Sequence, residues 1–418
     1  MKNLSYLRLS VFALLASLNI SCTSSDSVAT DDSKTTTSVS GKSRAEAGDY
    51  ETASDAVANM KIGWNLGNTL ESNSGEVNGW IEKYTDRTPT AYETAWGQPV
   101  ATQALIHEFK KIGFNAIRVP VTWWPHLDND TVINAAWMNR VEQVVNYVLN
   151  EGMYCIINIH HDTGAASASW LKADLSDFTS MNAKYVKIWQ QIATRFNKYG
   201  DHLLFESYNE MLDVKNTWNF PTVSTAFTAI NQYAQNFVNT VRASGGNNAK
   251  RNLIVNTYCA GNGGTWGDCN KVLSLFVVPT DIISNHIAVE VHSYNPWNWD
   301  KDHGKWTASG ASDISQMMSR LNTYFVSKGT PVIVGEYGAV NVDTSAVDQA
   351  EGAKYAQCVV SEAKKYNIAT FYWMGLMDGK DRTALKWTQP KIVDGITKAY
   401  YGSDAISTGI RDITMDSK

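Results

Sequence analysis

Two glutamates, Glu210 and Glu336, stand at the ends of short β-rich runs and could together carry out acid–base chemistry. Two facing carboxyl groups are what glycoside hydrolysis requires: one protonates the leaving oxygen, and the other attacks the anomeric carbon or activates water. A carboxyl separation of about 5–5.5 Å predicts retention of configuration, and one of about 6.5–9.5 Å predicts inversion. Each glutamate could instead be a structural ion-pair partner. We interpret Glu206 and Glu290 in that way, because they lie earlier on their strands and therefore deeper.

Further side chains at the ends of the predicted strands fit the same reaction. A hydrogen bond from Tyr294 could hold a nucleophilic carboxylate, and the charge of Arg118 could keep Glu336 ionised. Asn209 could reach the sugar 2-hydroxyl, where a hydrogen bond strengthens in the transition state. The indole of Trp373 could provide a flat surface for the sugar ring beside the cleaved bond. The residue types are therefore those of one carbohydrate site.

The histidines raise the alternative of a metal-dependent hydrolase, since His160, His161, Asp162 and His292 have the composition of a metal cluster. Successive side chains on a strand point to opposite faces, so only one of the adjacent pair can reach a common centre. The sequence has no His-x-His pair and no His-Glu-x-x-His segment, and it also lacks the Gly-x-Ser-x-Gly elbow of serine hydrolases. We therefore predict neither a catalytic metal nor another cofactor. His292 lies two residues before Tyr294, so both point to the same face of their strand.

Eight β-rich runs alternating with amphipathic segments must position these residues. The runs cover residues 62–66, 115–121, 154–161, 203–210, 253–258, 287–294, 331–337 and 369–374. Between them, apolar residues recur every three to four positions, as Val141, Val145 and Val148 do, which predicts helices. Eight strand–helix units predict a (β/α)8 TIM barrel, whose strands deliver their C-terminal ends to one face. An open doubly wound sheet is the alternative, but no glycine-rich phosphate turn follows an early strand.

The overall composition is that of a globular protein without a basic surface. Hydrophobic residues make up 44% of the chain and charged residues 18%, and the formal net charge is −5. No cluster of basic residues stands out, so we expect no nucleic-acid partner. The 15 tryptophans and 19 tyrosines could fill a core or stack on sugar rings in an open groove. Their number alone does not decide between these interpretations.

The N-terminus has the composition of a targeting segment. Basic residues precede an apolar stretch, residues 9–20, which is too short to span a bilayer and has the length of a signal-peptide core. The stretch runs into Ser21-Cys22, a pair similar to a bacterial lipoprotein cleavage site, although Asn19 stands where that pattern usually has Leu. We predict lipidation of Cys22, with ordinary cleavage and export as the alternative. The Ser-, Thr- and Asp-rich residues that follow predict a flexible tether.

These observations predict a single folded domain on a tether. The predicted parts are a signal peptide (1–21), a lipidated cysteine with its tether (22–48), a (β/α)8 catalytic domain (49–405) and a C-terminal tail (406–418). We expect an exported monomer on the outer membrane or cell surface, or otherwise secreted or periplasmic, that contacts a membrane only through its lipid. Cys259 and Cys269 bracket a glycine-rich stretch and could form a loop disulfide or remain thiols. Cys155 lies in an apolar run and is expected to be an inert core residue.

Seven segments together resemble glycoside hydrolase family 5, the retaining cellulases, mannanases and their relatives. Each is short, but they follow in the family's order and span most of residues 60–375. They are residues 63–71 (GWNLGNTLE), 118–123 (RVPVTW), 158–161 (NIHH), 205–210 (FESYNE), 292–294 (HSY), 334–338 (VGEYG) and 372–373 (YW). One departure is Met211, which follows the first catalytic glutamate where the family often has Pro. We expect this change to alter a loop and to leave the chemistry intact.

The resemblance implies a role for each matching residue. Glu210 would be the acid/base and Glu336 the nucleophile, with net retention of configuration. The other matching active-site positions are Arg118, His160, Asn209, His292, Tyr294 and Trp373. The opening segment, together with the ETAWG segment at residues 93–97, is most like the branch rich in endo-β-1,4-glucanases, including those acting on xyloglucan and mixed-linkage glucan. By this resemblance Trp64, Asn68, Trp96 and His161 would contact a β-glycan polysaccharide.

Two other functions stay open at this stage. The same mechanism could act on mannan or xylan, because specificity depends on loop residues whose placement the sequence does not fix. Those residues are Trp170, Trp218, Trp266, Trp297, Trp299 and Trp306, and each could equally be a packing residue. A non-catalytic glycan-binding lipoprotein is the other alternative, although both carboxylates are intact.

Overall fold

The structure is a computed structural model that describes residues 50–264, 267–295, 305–339 and 346–407. These residues all fall within one compact unit, Ser43–Lys418. The predicted signal peptide, the tether with Cys22, and residues 408–418 of the predicted tail lie outside the described residues. The same is true of three loop tryptophans, Trp266, Trp297 and Trp299.

Eight parallel strands close into a barrel in which each strand pairs with its neighbours in sequence, and β8 pairs with β1. They are β1 Ile62–Asn65, β2 Ala116–Val119, β3 Tyr154–Asn158, β4 Leu203–Glu206, β5 Leu253–Asn256, β6 Ile287–Ser293, β7 Val332–Tyr337 and β8 Ala369–Tyr372. This confirms the predicted (β/α)8 TIM barrel. The predicted strand starts agree within one residue, but most predicted ends run into the following loops. The apolar pattern continues there after the backbone has left the hydrogen-bond ladder.

Helices surround the barrel, and at least one follows each strand. In chain order the α-helices are Ala53–Met60, Trp80–Tyr84, Pro89–Glu93, Gln103–Lys111, Ala135–Asn150, Phe178–Arg195, Ala226–Ala243, Val272–Leu275, Ala308–Tyr324, Ala346–Lys364, Lys380–Ala384 and Pro390–Tyr401. A short antiparallel hairpin, Leu127–Asp128 with Val132–Ile133, was not predicted. Within the described residues, no helix combines the length and apolar character needed to cross a membrane.

The inside of the barrel is apolar only at its N-terminal end. There the helix Ala53–Met60 buries Val57 and Met60 in a cluster with inward-facing residues such as Ile156 and Leu204. Thr52 caps this helix by accepting a hydrogen bond from the backbone N–H of Asp55. Because the helix fills the lower end, the polar residues inside the barrel are confined to the end where the strands finish.

The cysteines are all thiols in the part of the chain that the structure describes. Cys259 and Cys269 are both free, so the loop disulfide that the sequence allowed is not formed. Cys155 is fully buried in β3, and burial raises the pKa of its thiol because the charged form would lose its hydration. This agrees with the expectation that Cys155 is an inert core residue.

Candidate active site

The two glutamates singled out from the sequence meet at the mouth of the barrel. Glu336 belongs to β7, and Glu210 lies in the loop four residues after β4 ends. The hydrogen bond from the backbone N–H of Asn209 to the carbonyl of Ile159 (2.9 Å) ties this loop to the end of β3. One carboxylate oxygen of Glu210, one of Glu336 and a ring nitrogen of His292 lie within 4.8 Å of one another. The chain therefore brings both carboxyl groups within reach of one sugar linkage.

Donors hold both oxygens of the Glu336 carboxylate. Nη1 of Arg118 donates to Oε1 (2.7 Å), and the hydroxyl of Tyr294 donates to Oε2 (2.8 Å). Only 6% of the Glu336 side chain is exposed, so water contributes little to its solvation. Burial and the neighbouring charge of Glu336 raise the pKa of Tyr294 well above its ordinary value, which keeps this hydroxyl a donor. The two contacts fix the carboxylate in one orientation.

Arg118 is the buried cation on which several strands converge. Its guanidinium makes a bidentate pair with Glu206, from Nε (2.7 Å) and Nη2 (2.8 Å). It also donates to the amide oxygens of Asn65 (3.0 Å) and Asn209 (2.8 Å). Burial alone would lower the pKa of Arg118, but the attraction of Glu206 and the other carboxylates outweighs it. Glu206 is fully buried, as predicted for a structural partner.

His292 connects the mouth of the barrel to its interior. Its Nδ1 lies 2.9 Å from Oε1 of Glu210 and 3.6 Å from Oε2 of Glu336, while Nε2 lies 3.2 Å from Oε1 of Glu290. Burial lowers the pKa of His292, but Glu336 and Glu210 outweigh burial and raise it to about 10. Glu210, His292 and Glu336 could geometrically surround a cation. With a pKa of about 10, His292 carries a proton on both ring nitrogens at pH 7, so neither nitrogen has a lone pair for a metal. A doubly protonated ring also fits the position of His292 between the carboxylates of Glu210 and Glu290.

The loop after Glu210 differs from the family pattern at Met211, and it packs into the protein interior. Met211 is fully buried, and its carbonyl accepts a hydrogen bond from the backbone N–H of Cys259 (3.1 Å). Two residues further, both carboxylate oxygens of Asp213 accept backbone N–H groups of the loop, including those of Thr217 and Thr222. The loop is therefore fixed by its own hydrogen bonds after Met211.

Partly exposed aromatic rings surround the carboxylates. Trp373 stacks parallel to His160 with 6.1 Å between ring centroids, and Trp96 contacts His161 at 5.5 Å. Burial lowers the pKa of His160 well below its ordinary value and that of His161 to about 4, so both rings are neutral at pH 7. Asn68 is partly exposed in the loop after β1, where it adopts a left-handed conformation (φ 55°). The mouth of the barrel thus presents flat, uncharged surfaces beside two acids.

Trp64 does not line the cleft, which corrects the expectation from the sequence. Its side chain is fully buried outside the barrel, stacked on Phe109 at 4.0 Å, with the guanidinium of Arg382 5.1 Å from the ring. Side chains alternate along a strand, and the next residue, Asn65, faces the interior and Arg118. Trp64 must therefore point to the helices and contributes to packing.

Buried amides inside the barrel are site residues that the sequence reasoning did not select. Asn158 and Asn256 donate to Oε1 of Glu206 (3.0 and 3.2 Å), and Asn65 donates to the carbonyl of Gly335 (2.8 Å). Asn158 and Asn256 therefore satisfy the carboxylate that holds Arg118, and the amide oxygen of Asn65 accepts from Arg118 itself (3.0 Å). The sequence does contain a pattern that identifies them: side chains alternate along each strand, and this alternation places all three asparagines on the inward face.

The described loop tryptophans have different environments. Trp170 donates from its indole N–H to Asp162 (2.7 Å), and Trp306 packs edge-on against Tyr355. Trp218 is 48% exposed in the loop that follows Glu210. Trp218 is therefore the most exposed of the three.

Replacing Arg118 by Met is expected to lower the free energy of unfolding by about 3–5 kcal/mol, because several buried carboxylates would lose their cation. Denaturant titration measures the effect. Arg195→Met is a matched control, because its pair with Glu142 is on the surface and 38% of the Arg195 side chain is exposed. We expect the control to change stability by no more than about 1 kcal/mol. Equal losses in the two variants would contradict the central role of Arg118.

Comparison with known proteins decides the family. The family model described as cellulase (glycosyl hydrolase family 5) matches residues 81–376. The chain belongs to glycosyl hydrolase family 5. This family membership confirms the resemblance inferred from the seven sequence segments.

Relatives of this family 5 chain match over most of its length. Endoglucanase A of Paenibacillus barcinonensis is 36% identical over 369 residues, covering 80% of this chain and 85% of the relative. Cellulase/esterase CelE of Acetivibrio thermocellus is 37% identical, but the match spans 40% of that longer protein. PbGH5A from Prevotella bryantii B14, a glutamate-to-alanine variant solved with the xyloglucan tetradecasaccharide XXXGXXXG, is 42% identical. Its TM-score is 0.78, with 84% of this chain and 99% of that chain covered.

These relationships establish the general activity of the family 5 chain. It is a glycoside hydrolase, and its endoglucanase relatives support internal cleavage of glucan chains. The structure solved with an oligosaccharide supports polysaccharide binding by the same fold.

Proposed function

We propose that this protein is a retaining endo-β-1,4-glucanase in which Glu336 is the nucleophile and Glu210 is the acid/base. The observation that carries the proposal is the approach of the two carboxylates, with oxygens no more than 4.8 Å apart. A separation of about 5–5.5 Å is typical of retaining enzymes, whereas inverting enzymes need about 6.5–9.5 Å to admit a water molecule. The short distance favours direct attack by a carboxylate.

The two carboxylates differ in the way that a double displacement requires. Arg118 and Tyr294 hold both carboxylate oxygens of Glu336 in place, so Glu336 can attack the anomeric carbon and form a glycosyl-enzyme. Glu210 is more exposed, at 23%, and can protonate the departing oxygen. Glu210 then removes a proton from water as the water attacks the glycosyl-enzyme. The second displacement restores the original configuration.

The remaining residues of the mouth would hold the sugar. Asn209 commits its amide oxygen to Arg118, so its NH2 group is the part that would donate to the sugar 2-hydroxyl. Trp373, parallel to His160, would support the ring beside the cleaved bond. Trp96, Asn68 and His161 would contact neighbouring sugars. Trp64 takes no part in this proposal because it is buried.

We propose β-1,4-linked glucans, including xyloglucan and mixed-linkage glucan, as substrates. The support is the 42% identity to a neighbour solved with a xyloglucan oligosaccharide. The test measures reducing-sugar release from β-glucan, carboxymethylcellulose, xyloglucan, mannan and xylan, with proton NMR of the first products. We expect glucans to be cleaved into oligosaccharides that first appear as the β-anomer. Faster release from mannan or xylan would show that this other polysaccharide is the substrate. Products that first appear as the α-anomer would exclude a double displacement.

We also propose that the exported enzyme is attached to the outer membrane or cell surface through lipid on Cys22 and that it acts as a monomer. The support is the apolar stretch at residues 9–20 that ends at Ser21-Cys22. Cys22→Ser should move the enzyme from the membrane fraction to the soluble or secreted fraction without changing its activity. Detergent partitioning of intact cells measures this, and a wild-type protein found only in the soluble fraction would contradict lipidation. Light scattering of the soluble variant tests the monomer.

A further inference from the structure

A second buried glutamate, Glu290, lies directly beneath the catalytic carboxylates. It precedes His292 by two residues in β6, so the two side chains share a face of the strand. Oε1 of Glu290 lies 3.2 Å from Nε2 of His292 and 3.2 Å from Nε of Arg118. Among the described residues its second oxygen, Oε2, has no hydrogen-bond partner. A fully buried carboxyl group with one oxygen unsatisfied is costly, so its presence calls for a function.

The neighbouring strand makes room for Glu290. The pairing of β6 with β7 shifts register between Val291 and His292, and Gly335 lies at this irregularity, immediately before Glu336. A Cβ atom at Gly335 would lie 1.8 Å from Oε1 of Glu290, so only glycine fits there. Two strands are thus adapted to place a carboxyl group at this depth.

His292 links Glu290 to the proposed acid/base. One ring nitrogen faces Glu290, and the other lies 2.9 Å from Oε1 of Glu210. When a carboxylate accepts the Nε2–H of an imidazole, the neutral ring carries its lone pair on Nδ1. Nδ1 can then accept the proton of Glu210, or carry that proton while Glu210 is a carboxylate.

We propose that Glu290 is a positioning residue that fixes the tautomer of His292, so that His292 and Glu210 share the one proton used in acid/base catalysis. The inference rests on the proposed role of Glu210. During the first displacement the shared proton leaves through Glu210 to the departing sugar oxygen. During the second the attacking water loses a proton to Glu210, which restores the proton shared with Nδ1 of His292. Glu290 touches no substrate and acts only through His292.

The charges around the pair set the direction of the pH effect. The groups that face His292 and Glu290 are the carboxylates of Glu206, Glu210 and Glu336, the guanidinium of Arg118, the hydroxyl of Tyr294 and the neutral ring of His160. Burial, and then the charge of Glu206, raise the pKa of Glu290 to about 7. Above that pH Glu290 is ionised and strengthens the hold of His292 on the shared proton. The basic limb of the activity profile therefore extends to higher pH than it would without this charge.

The first test is the pH profile of kcat/KM for Glu290→Gln, which keeps the shape of the side chain and removes its charge. We expect the basic limb to move to lower pH by about one unit, with the acidic limb and KM little changed. Glu93→Gln is the matched control, since Glu93 is a fully buried glutamate paired with Arg140. It should cost stability and leave the limb in place. An unmoved limb in a folded Glu290→Gln protein would overturn the proposal.

Nitrogen NMR of the histidine-labelled full chain provides a second test that needs no catalysis. The His292 signals can be assigned by their loss in a His292→Asn variant. We expect both ring nitrogens of His292 to remain protonated above pH 8 in the wild type, and to lose a proton at lower pH in Glu290→Gln. A wild-type His292 that titrates at the ordinary value of about 6.5 would also overturn the proposal. Because this readout is independent of turnover, it separates failure here from failure of the glucanase assignment.

Discussion

Glu336→Ala is expected to lower kcat/KM on β-glucan by roughly 10⁴- to 10⁶-fold, the scale on which loss of a catalytic nucleophile reduces turnover. Without the carboxylate no glycosyl-enzyme can form, and the remaining carboxyl, Glu210, is placed to donate a proton and not to attack. The protein should still fold, because Arg118 keeps its bidentate pair with Glu206. Initial rates from reducing-sugar release measure the loss, and thermal unfolding verifies the fold.

Azide supplies the stereochemical control for this variant. A small anion can occupy the space that the Glu336 carboxylate leaves and attack the anomeric carbon of an activated aryl cellobioside. One displacement replaces two, so the glycosyl azide should have the inverted, α configuration. An azide product of retained configuration, or residual activity within tenfold of the wild type, would show that Glu336 is not the nucleophile.

Glu210→Ala is expected to lose activity mainly on substrates whose leaving group must be protonated to depart. On polysaccharide the loss should be about 10²- to 10⁴-fold, the usual contribution of a positioned general acid. An aryl cellobioside with an acidic phenol needs no proton to depart, so Glu336 should still form the glycosyl-enzyme with it. Water then attacks the glycosyl-enzyme slowly, because the variant has no Glu210 to remove a proton from it. A burst of phenol followed by a slow steady state, seen by stopped-flow absorbance, is the expected result.

The polysaccharide, whose leaving group needs a proton, and the aryl cellobioside, whose leaving group does not, serve as each other's control. Azide should accelerate the slow phase of Glu210→Ala and give the retained, β-glycosyl azide, because it attacks an intermediate that Glu336 has already formed. This is the opposite configuration to the one expected from Glu336→Ala. Equal losses on polysaccharide and on the activated glycoside, with no burst, would contradict the acid/base assignment of Glu210.

The sequence predicted the barrel and the strands that carry the acids. Alternating apolar runs and amphipathic segments are local properties, and eight such units leave little choice of closed architecture. The strand ends follow less well from the sequence: the β-rich run that contains Glu210 extends to residue 210, whereas β4 ends at Glu206. Hydrophobicity does not report where the backbone leaves the sheet, because the buried loop residues Tyr208 and Met211 are as apolar as the strand.

Trp64 shows the limit of transferring a motif without its geometry. The resemblance placed Trp64 and Asn68 of the opening segment at the cleft, but a strand presents only alternate residues to each side. Register with β2 puts Asn65 opposite Arg118 on the inward face and turns Trp64 towards Phe109. The motif identified the strand correctly, and the pleat decided which of its residues face the interior.

The sequence by itself determined the barrel, the order of its strands and the pair of carboxyl groups at their ends, because these follow from periodicity and residue type along the chain. Only the tertiary structure decided that Arg118 joins Glu206, Glu290 and Glu336, and that His292 lies between Glu210 and Glu290. Those contacts join different strands and depend on the register around the closed barrel, including the shift at Gly335. Displacing one strand by a single residue would turn its side chains to the other face and separate the charges. No local pattern encodes that register.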